Sequence, residues 1–100
     1  MSVVTLKDRL NEDRRLVILR LLAETPEYRL NESTMAAALA DFGHAASRDQ
    51  VRGDFAWLAE QDLVTIEEIA GITIATATAR GLDAAMGRTI VPGVRRPSPK

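Results

Sequence analysis

Residues 47–63 read Ser47-Arg-Asp-Gln-Val-Arg-Gly-Asp-Phe-Ala-Trp-Leu-Ala-Glu-Gln-Asp-Leu63, which is the pattern of a capped amphipathic helix. Ser47 is a preferred N-cap, because its hydroxyl can accept a hydrogen bond from the first helical turn. The apolar residues Val51, Phe55 and Leu58 are spaced four and three apart, so they share one helical face. The sequence therefore predicts a helix that buries this face and exposes the other.

The exposed face carries the candidate contacts to duplex DNA. Arg48, Gln50 and Arg52 follow Ser47 at the start of the helix, where a recognition helix meets base edges. Arg can bond guanine through two donors and Gln can pair with adenine, so with Ser47 they form the predicted DNA-binding set. The alternative is a solvated face on which the two Arg pair with Asp49 and Asp54.

The preceding residues predict the other half of a helix-turn-helix. Asn31 has the character of an N-cap, and Glu32 places negative charge in the first turn of a second helix. The apolar face of that helix has four members: Met35, Ala38, Leu39 and Phe42. Gly43 is the expected left-handed stop. A helix, a short turn with Gly and a second capped helix make the helix-turn-helix pattern.

A first helix is predicted from about Leu6 to Glu24, ending before Pro26. Its apolar stripe has these members: Leu6, Leu10, Val17 and Leu21. The half from Leu16 onward is apolar on more than one side, so it should form the centre of the core. The charged first half fits either one continuous helix or a second start near Asn11.

After Leu63 the apolar period changes from helical to alternating, which predicts a β-hairpin turning at Ala70-Gly71. Thr78 should cap a final helix that ends near Gly87. The predicted fold class is mainly α with a small β-hairpin. It is a winged helix-turn-helix in the order helix, short strand, helix, helix, two-stranded wing, helix. Residues 1–87 would form this domain and residues 88–100 a basic, Pro-rich C-terminal arm, extended or mobile.

Composition restricts the function classes. The chain has 100 residues, 46% of them hydrophobic, which suits one small globular domain. It has no cysteine, so disulfides and thiolate metal sites are excluded. The single His44, with no Ser-His-Asp set, phosphate loop or metal cluster, predicts a protein that is not an enzyme and binds no cofactor or metal. No signal peptide or membrane segment is evident, so we expect a cytoplasmic protein with no membrane partner.

The charge distribution weighs against a routine DNA-binding protein. Residues 25–62 hold three basic and seven acidic groups, whereas residues 80–100 hold five basic and one acidic group. The wing carries Glu67 and Glu68 and no basic residue, so we predict that its tip does not contact DNA. The basic residues after Gly87 are Arg88, Arg95, Arg96 and Lys100. With Arg95 and Arg96 as contacts, this arm could follow phosphates; otherwise it is a solubilising tail.

The sequence does not show what Trp57 packs against, or what covers Leu6 and Leu10. Trp57 sits beside the apolar stripe of its helix, where it packs under the wing or marks a protein contact. Leu6 and Leu10 either pair with their mates across a twofold axis or pack on the last helix near Leu82 and Met86. We predict a homodimer through these terminal elements.

The quoted residues resemble known families. The motif from Ser47 to Val64, Ser-Arg-Asp-x-Val-Arg-x-Asp-Phe-x-x-Leu-x-x-x-x-Leu-Val, resembles winged-helix regulators of the arsenic-repressor and multiple-antibiotic-resistance type. Asp62 stands where those families usually have Gly. Thr78-Ala-Arg-Gly-Leu82 is similar to the start of their final helix. Their metal-sensing Cys and His residues are absent, so metal sensing is not implied.

Three further segments resemble a family of small regulator-like proteins from Mu-like transposable prophages. They are Asp13-Arg-Arg-Leu-Val-Ile-Leu-Arg-Leu-Leu-Ala-Glu24, Tyr28-Arg-Leu-Asn-Glu-Ser33 and Val91-Pro-Gly-Val-Arg-Arg-Pro97. The resemblance implies the winged-helix fold over nearly the whole chain. Our first hypothesis is a dimeric, prophage-related transcriptional regulator that reads duplex DNA with the helix starting at Ser47. The alternative is a winged-helix protein-interaction module in phage assembly or regulation that does not bind DNA.

Overall fold

The computed structural model describes residues 3–98 and shows a winged helix-turn-helix fold. The elements are α1 (Leu6–Glu24), a 3-10 segment (Pro26–Tyr28), β1 (Arg29–Asn31), α2 (Glu32–Asp41), α3 (Arg48–Glu60), β2 (Val64–Ile69), β3 (Ile72–Ala77) and α4 (Ala79–Ala85). The predicted fold class is confirmed. The short strand β1 also pairs with β3, which gives an antiparallel sheet in the order β1-β3-β2.

Helix α1 is continuous and emerges from the body of the molecule at its N-terminal end. Thr5 and Asp8 form a capping box, each side chain accepting a bond from the other's backbone N–H at 3.1 Å. The buried residues of α1 all lie in its second half: Leu16, Ile18, Leu19 and Leu22. Leu6 is 72% exposed and Leu10 is also exposed, so they do not pack on α4 within one chain.

Three side-chain caps fix the starts of α2, α3 and α4, as the sequence predicts. Asn31 Oδ1 accepts from Thr34 N–H at 2.7 Å. The Ser47 hydroxyl accepts from Gln50 N–H at 3.1 Å. Thr78 Oγ1 accepts from Gly81 N–H at 3.0 Å. These bonds satisfy amide groups that have no partner within the helix.

The predicted stripe of α3 lies at the centre of the core. Val51, Phe55 and Leu58 are fully buried together with Met35 and Leu39 of α2. The prediction that Phe42 belongs to the buried face of α2 is wrong. The helix ends at Asp41, and Phe42, at its C-cap, is 61% exposed.

Helix α3 ends in a Schellman motif that explains the Gly usual in the resembling families. Leu63 N–H donates to Leu58 O at 2.9 Å and Asp62 N–H donates to Ala59 O at 3.0 Å. This geometry places Asp62 at φ 61°, in the left-handed region that favours glycine. Gly43 occupies the equivalent position after α2, with φ 83°.

The base of the wing is attached to the final helix. Thr78 N–H donates to Leu63 O at 3.0 Å, and its hydroxyl donates to Asp62 O at 2.7 Å. Helix α4 packs so closely here that a Cβ at Gly81 would lie 2.0 Å from Leu63 O. Val64 at the base is buried, but Ile66 is 41% exposed because the hairpin extends beyond the core.

The prediction of an extended or mobile arm after Gly87 is wrong for the described part of that segment. Val91 and Val94 are buried in the core. Arg95 N–H donates to Glu12 O of α1 at 3.1 Å. The Pro and Arg content of this segment predicts exposure, but its two Val side chains fix it to the core. Lys100 lies outside the described residues.

Candidate nucleic-acid interface

The predicted DNA-binding residues of α3 lie together at its exposed N-terminal end. Ser47 and Gln50 are engaged with each other, because Gln50 Oε1 also accepts from Ser47 N–H at 2.9 Å. This capping box occupies the carbonyl oxygen of Gln50 and leaves its amide NH₂ group as a donor. The Arg48 and Arg52 side chains are 52% and 47% exposed.

A buried carboxylate connects the two arginines. Glu32, the first residue of α2, is fully buried. Its Oε1 accepts from Arg48 Nη2 at 2.8 Å and from Arg52 Nη2 at 3.1 Å, while its Oε2 accepts from Arg52 Nε at 2.5 Å. The sequence placed Glu32 only in the first turn of α2, as a favourable charge. The structure shows that it also joins α2 to α3.

These hydrogen bonds determine the charge state of the cluster. Bonds from Arg52 and then Arg48 lower the pKa of Glu32 to about 2, against the opposing effect of burial. The bond to Glu32 also raises the pKa of Arg52. Glu32 is therefore ionised at neutral pH, and together with two guanidinium groups the cluster carries one net positive charge.

The pairing proposed for Asp54 from the sequence is wrong. Asp54 is buried on α3 and accepts from Arg14 of α1, with Nε–Oδ2 at 2.5 Å and Nη2–Oδ1 at 3.1 Å. Asp49 lies 3.7 Å from Arg52 Nη1, so that predicted pairing is present as a longer contact. Asp54 therefore ties α3 to α1 and leaves Glu32 as the main partner of Arg48 and Arg52.

The most outward line of α3, which we call the outward ridge, has short or acidic side chains. Its members are Asp49, Gly53, Ala56 and Glu60, which share one helical face and are all exposed. A Cβ at Gly53 would meet nothing within 4 Å. Gly53 thus leaves open space on the exposed side of α3.

The wing adds negative charge beside this helix. Glu67 of β2 is paired with Arg29 of β1 across the sheet. Glu68 contributes to raising the pKa of Arg52, so its charge acts on the start of α3. Glu67 is therefore paired with an arginine of the protein itself, and Glu68 adds negative charge near Arg52.

The two arginines predicted in the arm lie at different places. Arg95 Nη1 donates to Asp13 Oδ1 at 2.6 Å, and His44 Nε2 lies 2.7 Å from Asp13 Oδ2. Burial acts to raise the pKa of Asp13, but the bonds from Arg95 and His44 outweigh it and lower the pKa. Arg95 is therefore held near the α2–α3 turn. Arg96 is exposed and lies beside Met86, at the end of α4.

Trp57 packs against the C-terminal segment, a contact that neither alternative from the sequence includes. The Arg15 guanidinium stacks 4.0 Å from the Trp57 ring centroid, and Arg15 Nη1 donates to Gly93 O at 2.9 Å. A Cβ at Gly93 would lie 2.5 Å from Trp57 Cζ2. The ring therefore fits against bare backbone at Gly93.

Neither a spanning helix nor a metal centre is seen in the part of the chain that the structure describes. No helix within residues 3–98 is long and apolar enough to cross a membrane. The same residues contain no group of three or more His, Asp or Glu side chains placed to hold a metal ion.

Comparison with known proteins shows the family. The chain is 50% identical over 95 residues to the uncharacterized protein gp26 of Escherichia phage Mu, covering 95% of this chain and 98% of that protein. It belongs to the family of Mu gp26. An uncharacterized protein of Haemophilus influenzae is 42% identical over 80 residues, which span 79% of this chain and 78% of that protein. No family model matches the chain.

Solved structures similar to this gp26-family chain are winged-helix proteins. AbsC, a MarR family transcriptional regulator from Streptomyces coelicolor, is 20% identical over 78% of this chain, with a TM-score of 0.62. Lactococcus lactis ZitR is 20% identical over 82%, with a TM-score of 0.59. HlyU from Vibrio cholerae is 27% identical over 81% of this chain and 78% of its own, with a TM-score of 0.56. The chain spans 57% and 58% of AbsC and ZitR.

Proposed function

We propose that the chain is a DNA-binding transcriptional regulator of a Mu-like prophage, acting in the cytoplasm. Helix α3 is the reading helix, with Ser47, Arg48, Gln50 and Arg52 at its major-groove end. The observation that carries this proposal is the placement of two half-exposed arginines, Arg48 and Arg52, at a capped helix N-terminus in a winged-helix fold. The N-terminal residues of such helices contact base edges in known helix-turn-helix complexes.

Arg95 and Arg96 supply the remaining contacts in this proposal. Arg95 is 54% exposed beside the α2–α3 turn, where its partner Asp13 leaves part of its guanidinium open to a phosphate. Arg96 is exposed and has no acidic partner among the described residues. Phosphate contacts of this kind fix the orientation of a protein on the duplex and make its affinity depend on salt.

The regulator acts as a homodimer through its terminal helices. Leu6, Leu10 and Met86 present exposed apolar side chains on α1 and at the end of α4. Leu82 is partly buried against the core. Met86 lies beside Ala23 and Glu24, at the end of α1 opposite Leu6 and Leu10, so the proposed dimer uses two separate apolar patches. A twofold dimer presents two copies of α3, which match pseudo-palindromic half-sites about one helical turn apart. Light scattering at micromolar concentration should give the dimer mass; a monomer mass would exclude this assembly.

A salt titration tests DNA binding. The protein should bind random duplex at low salt, with log affinity falling linearly as log salt rises. Arg48→Gln should weaken binding and reduce the slope by about 1. Arg20→Gln is the matched control, because Arg20 is an exposed arginine on α1, outside the reading helix. Absence of binding to random and phage duplex at low salt would exclude the regulator function.

One observation favours a second candidate, a protein-interaction module without DNA binding. The outward ridge of α3 ends in Asp49 and Glu60, and the neighbouring wing carries Glu67 and Glu68. A surface of this charge suits a basic protein segment better than phosphate. The double variant Glu67→Lys, Glu68→Lys separates the candidates. A duplex-binding protein should gain affinity, because two repulsive charges near the backbone become attractive. A protein-interaction module should lose its partner and show no duplex binding in either form.

A further inference from the structure

We infer that Glu32 is the positioning residue of the reading helix: it orients the guanidinium groups of Arg48 and Arg52 and cancels one of their two charges. The inference rests on the proposed DNA-binding function and names a residue on the other helix of the pair. Glu32 contributes no side-chain surface to a ligand, because it is fully buried. Its effect on DNA is therefore exerted through the two arginines.

The geometry leaves one side of each arginine available. Arg52 uses Nε and Nη2 on the carboxylate, at 2.5 Å and 3.1 Å, and Arg48 uses Nη2, at 2.8 Å. Both Nη2 groups bond the same oxygen, Glu32 Oε1. The two guanidinium groups are thus neighbours with fixed orientation, and their remaining N–H donors point away from the carboxylate. A guanidinium has five N–H donors, so these bonds do not exhaust either group.

A DNA phosphate cannot easily replace Glu32 as the partner of the two arginines. Glu32 is the first residue of α2, so its backbone is fixed by the Asn31 cap and the helix that follows. A phosphate that competed for Arg52 would have to replace two hydrogen bonds to an ionised carboxylate, at 2.5 Å and 3.1 Å. Arg48 and Arg52 therefore meet DNA with Glu32 still attached. Because their rotamers are already restricted, less conformational entropy is lost when they bind.

The orientation imposed by Glu32 favours binding, but its negative charge weakens the sequence-independent attraction between the protein and duplex DNA. Two arginines and one carboxylate present one net charge to the duplex instead of two, which weakens counterion-driven binding. Fixed orientation supports recognition of particular bases, since bidentate contacts require the right geometry. Glu32 thus lowers general affinity for duplex and raises discrimination between sequences.

Glu32→Gln tests this inference, with Asp54→Asn as the matched control. Both variants change a buried carboxylate to an amide, but Asp54 bonds Arg14 and does not contact Arg48 or Arg52. In the free protein, the NMR signal of the Arg52 Nε–H should show slow exchange with solvent in wild type and in Asp54→Asn. That protection should be lost in Glu32→Gln, in which the proton faces an amide instead of a carboxylate.

Duplex binding then separates positioning from a general loss of stability. Wild type, Glu32→Gln and Asp54→Asn are titrated with random duplex over a range of salt, and each is used to select from a randomised duplex pool. Glu32→Gln should bind random duplex more tightly, with a slope steeper by about 1, and enrich a less defined sequence. Asp54→Asn should keep the wild-type slope and sequence bias.

Two outcomes would overturn the inference, and only the second would also exclude the DNA-binding function. If Glu32→Gln keeps the wild-type salt slope of duplex binding and the wild-type sequence bias, the inference about Glu32 is overturned, but the proposed DNA-binding function is not. Absence of wild-type binding at low salt would exclude the DNA-binding function and this inference with it. If Glu32→Gln does not fold, Glu32→Asp keeps the charge and shortens the side chain. It should lose Arg52 protection and sequence bias at an unchanged slope; retention of both would overturn the inference.

Discussion

Glu32 Oε2 lies 2.5 Å from Arg52 Nε, between the first residue of α2 and the first turns of α3. This contact makes stability depend on pH at acidic values. The bonds from Arg52 and Arg48 lower the pKa of Glu32 to about 2 from 4.5. Because the pKa is lower in the folded state, ionised Glu32 stabilises the fold fully above about pH 4.5, and this contribution is lost as pH falls through about 2.

Urea unfolding of wild type and Glu32→Gln across this range measures the effect. The difference in unfolding free energy should be constant near neutral pH and should shrink as the pH falls from about 4.5 toward 2. A difference that stays the same over that range would contradict the assignment.

Gly93→Ala should destabilise the protein by about 1–3 kcal/mol, through overpacking and backbone strain. The new methyl group would lie 2.5 Å from Trp57 Cζ2, and the residue has φ 94°. Trp57 is the single tryptophan, so its fluorescence reports both the native environment and unfolding. The emission of the folded variant should shift as the ring moves.

Gly53→Ala is the control, and we expect it to raise stability where Gly93→Ala lowers it. No atom lies within 4 Å of a Cβ at this position, and the backbone is helical. The variant should therefore be more stable than wild type by about 1 kcal/mol. Equal losses in the two variants would show that the Trp57 contact is not what makes Gly93 necessary.

Asp62→Gly should stabilise the chain by about 1 kcal/mol. Glycine adopts the left-handed backbone conformation of this position without the steric cost that a Cβ adds. Asp62 has φ 61° and an exposed side chain without a hydrogen bond, so the substitution removes no contact. Thermal unfolding measures the gain. Gly43→Ala, at the equivalent position with φ 83°, should lower stability. A loss of stability in Asp62→Gly would contradict the strain argument.

Val94 and Arg95 should have separable effects although they are adjacent. Val94→Ala removes two buried methyl groups and should cost about 2 kcal/mol of stability, with no change in the salt slope of duplex binding. Arg95→Gln should reduce that slope by about 1. Measurement of both quantities in both variants tests the assignment. A slope unchanged in Arg95→Gln would remove Arg95 from the proposed DNA interface.

The features predicted correctly from sequence are those that depend on near neighbours in the chain. Asn31, Ser47 and Thr78 cap helices whose first turns follow directly. The stripe of Val51, Phe55 and Leu58 needs only helical periodicity to be recognised. The hairpin likewise follows from alternation around Ala70-Gly71.

The features that sequence did not reveal depend on contacts between distant residues. Glu32 and Arg52 are 20 residues apart, and Arg15 and Gly93 are 78 apart. No local pattern marks a Glu in a first helical turn as buried, because that position usually serves the helix dipole. The packing of the C-terminal segment is hidden in the sequence for a related reason: Pro and Arg dominate its composition, whereas the buried Val91 and Val94 determine its position.

The attachment of the wing base to Thr78 and Gly81 restricts how the hairpin can move. With β2 entering beside Leu63 O and β3 leaving at Thr78, both strands are fixed at one end within hydrogen-bonding distance of each other. The hairpin has no hinge there, so displacement must arise by bending and increase toward Ala70 and Gly71. A ligand that holds the tip therefore acts on a flexible hairpin whose base is fixed between the end of α3 and the start of α4.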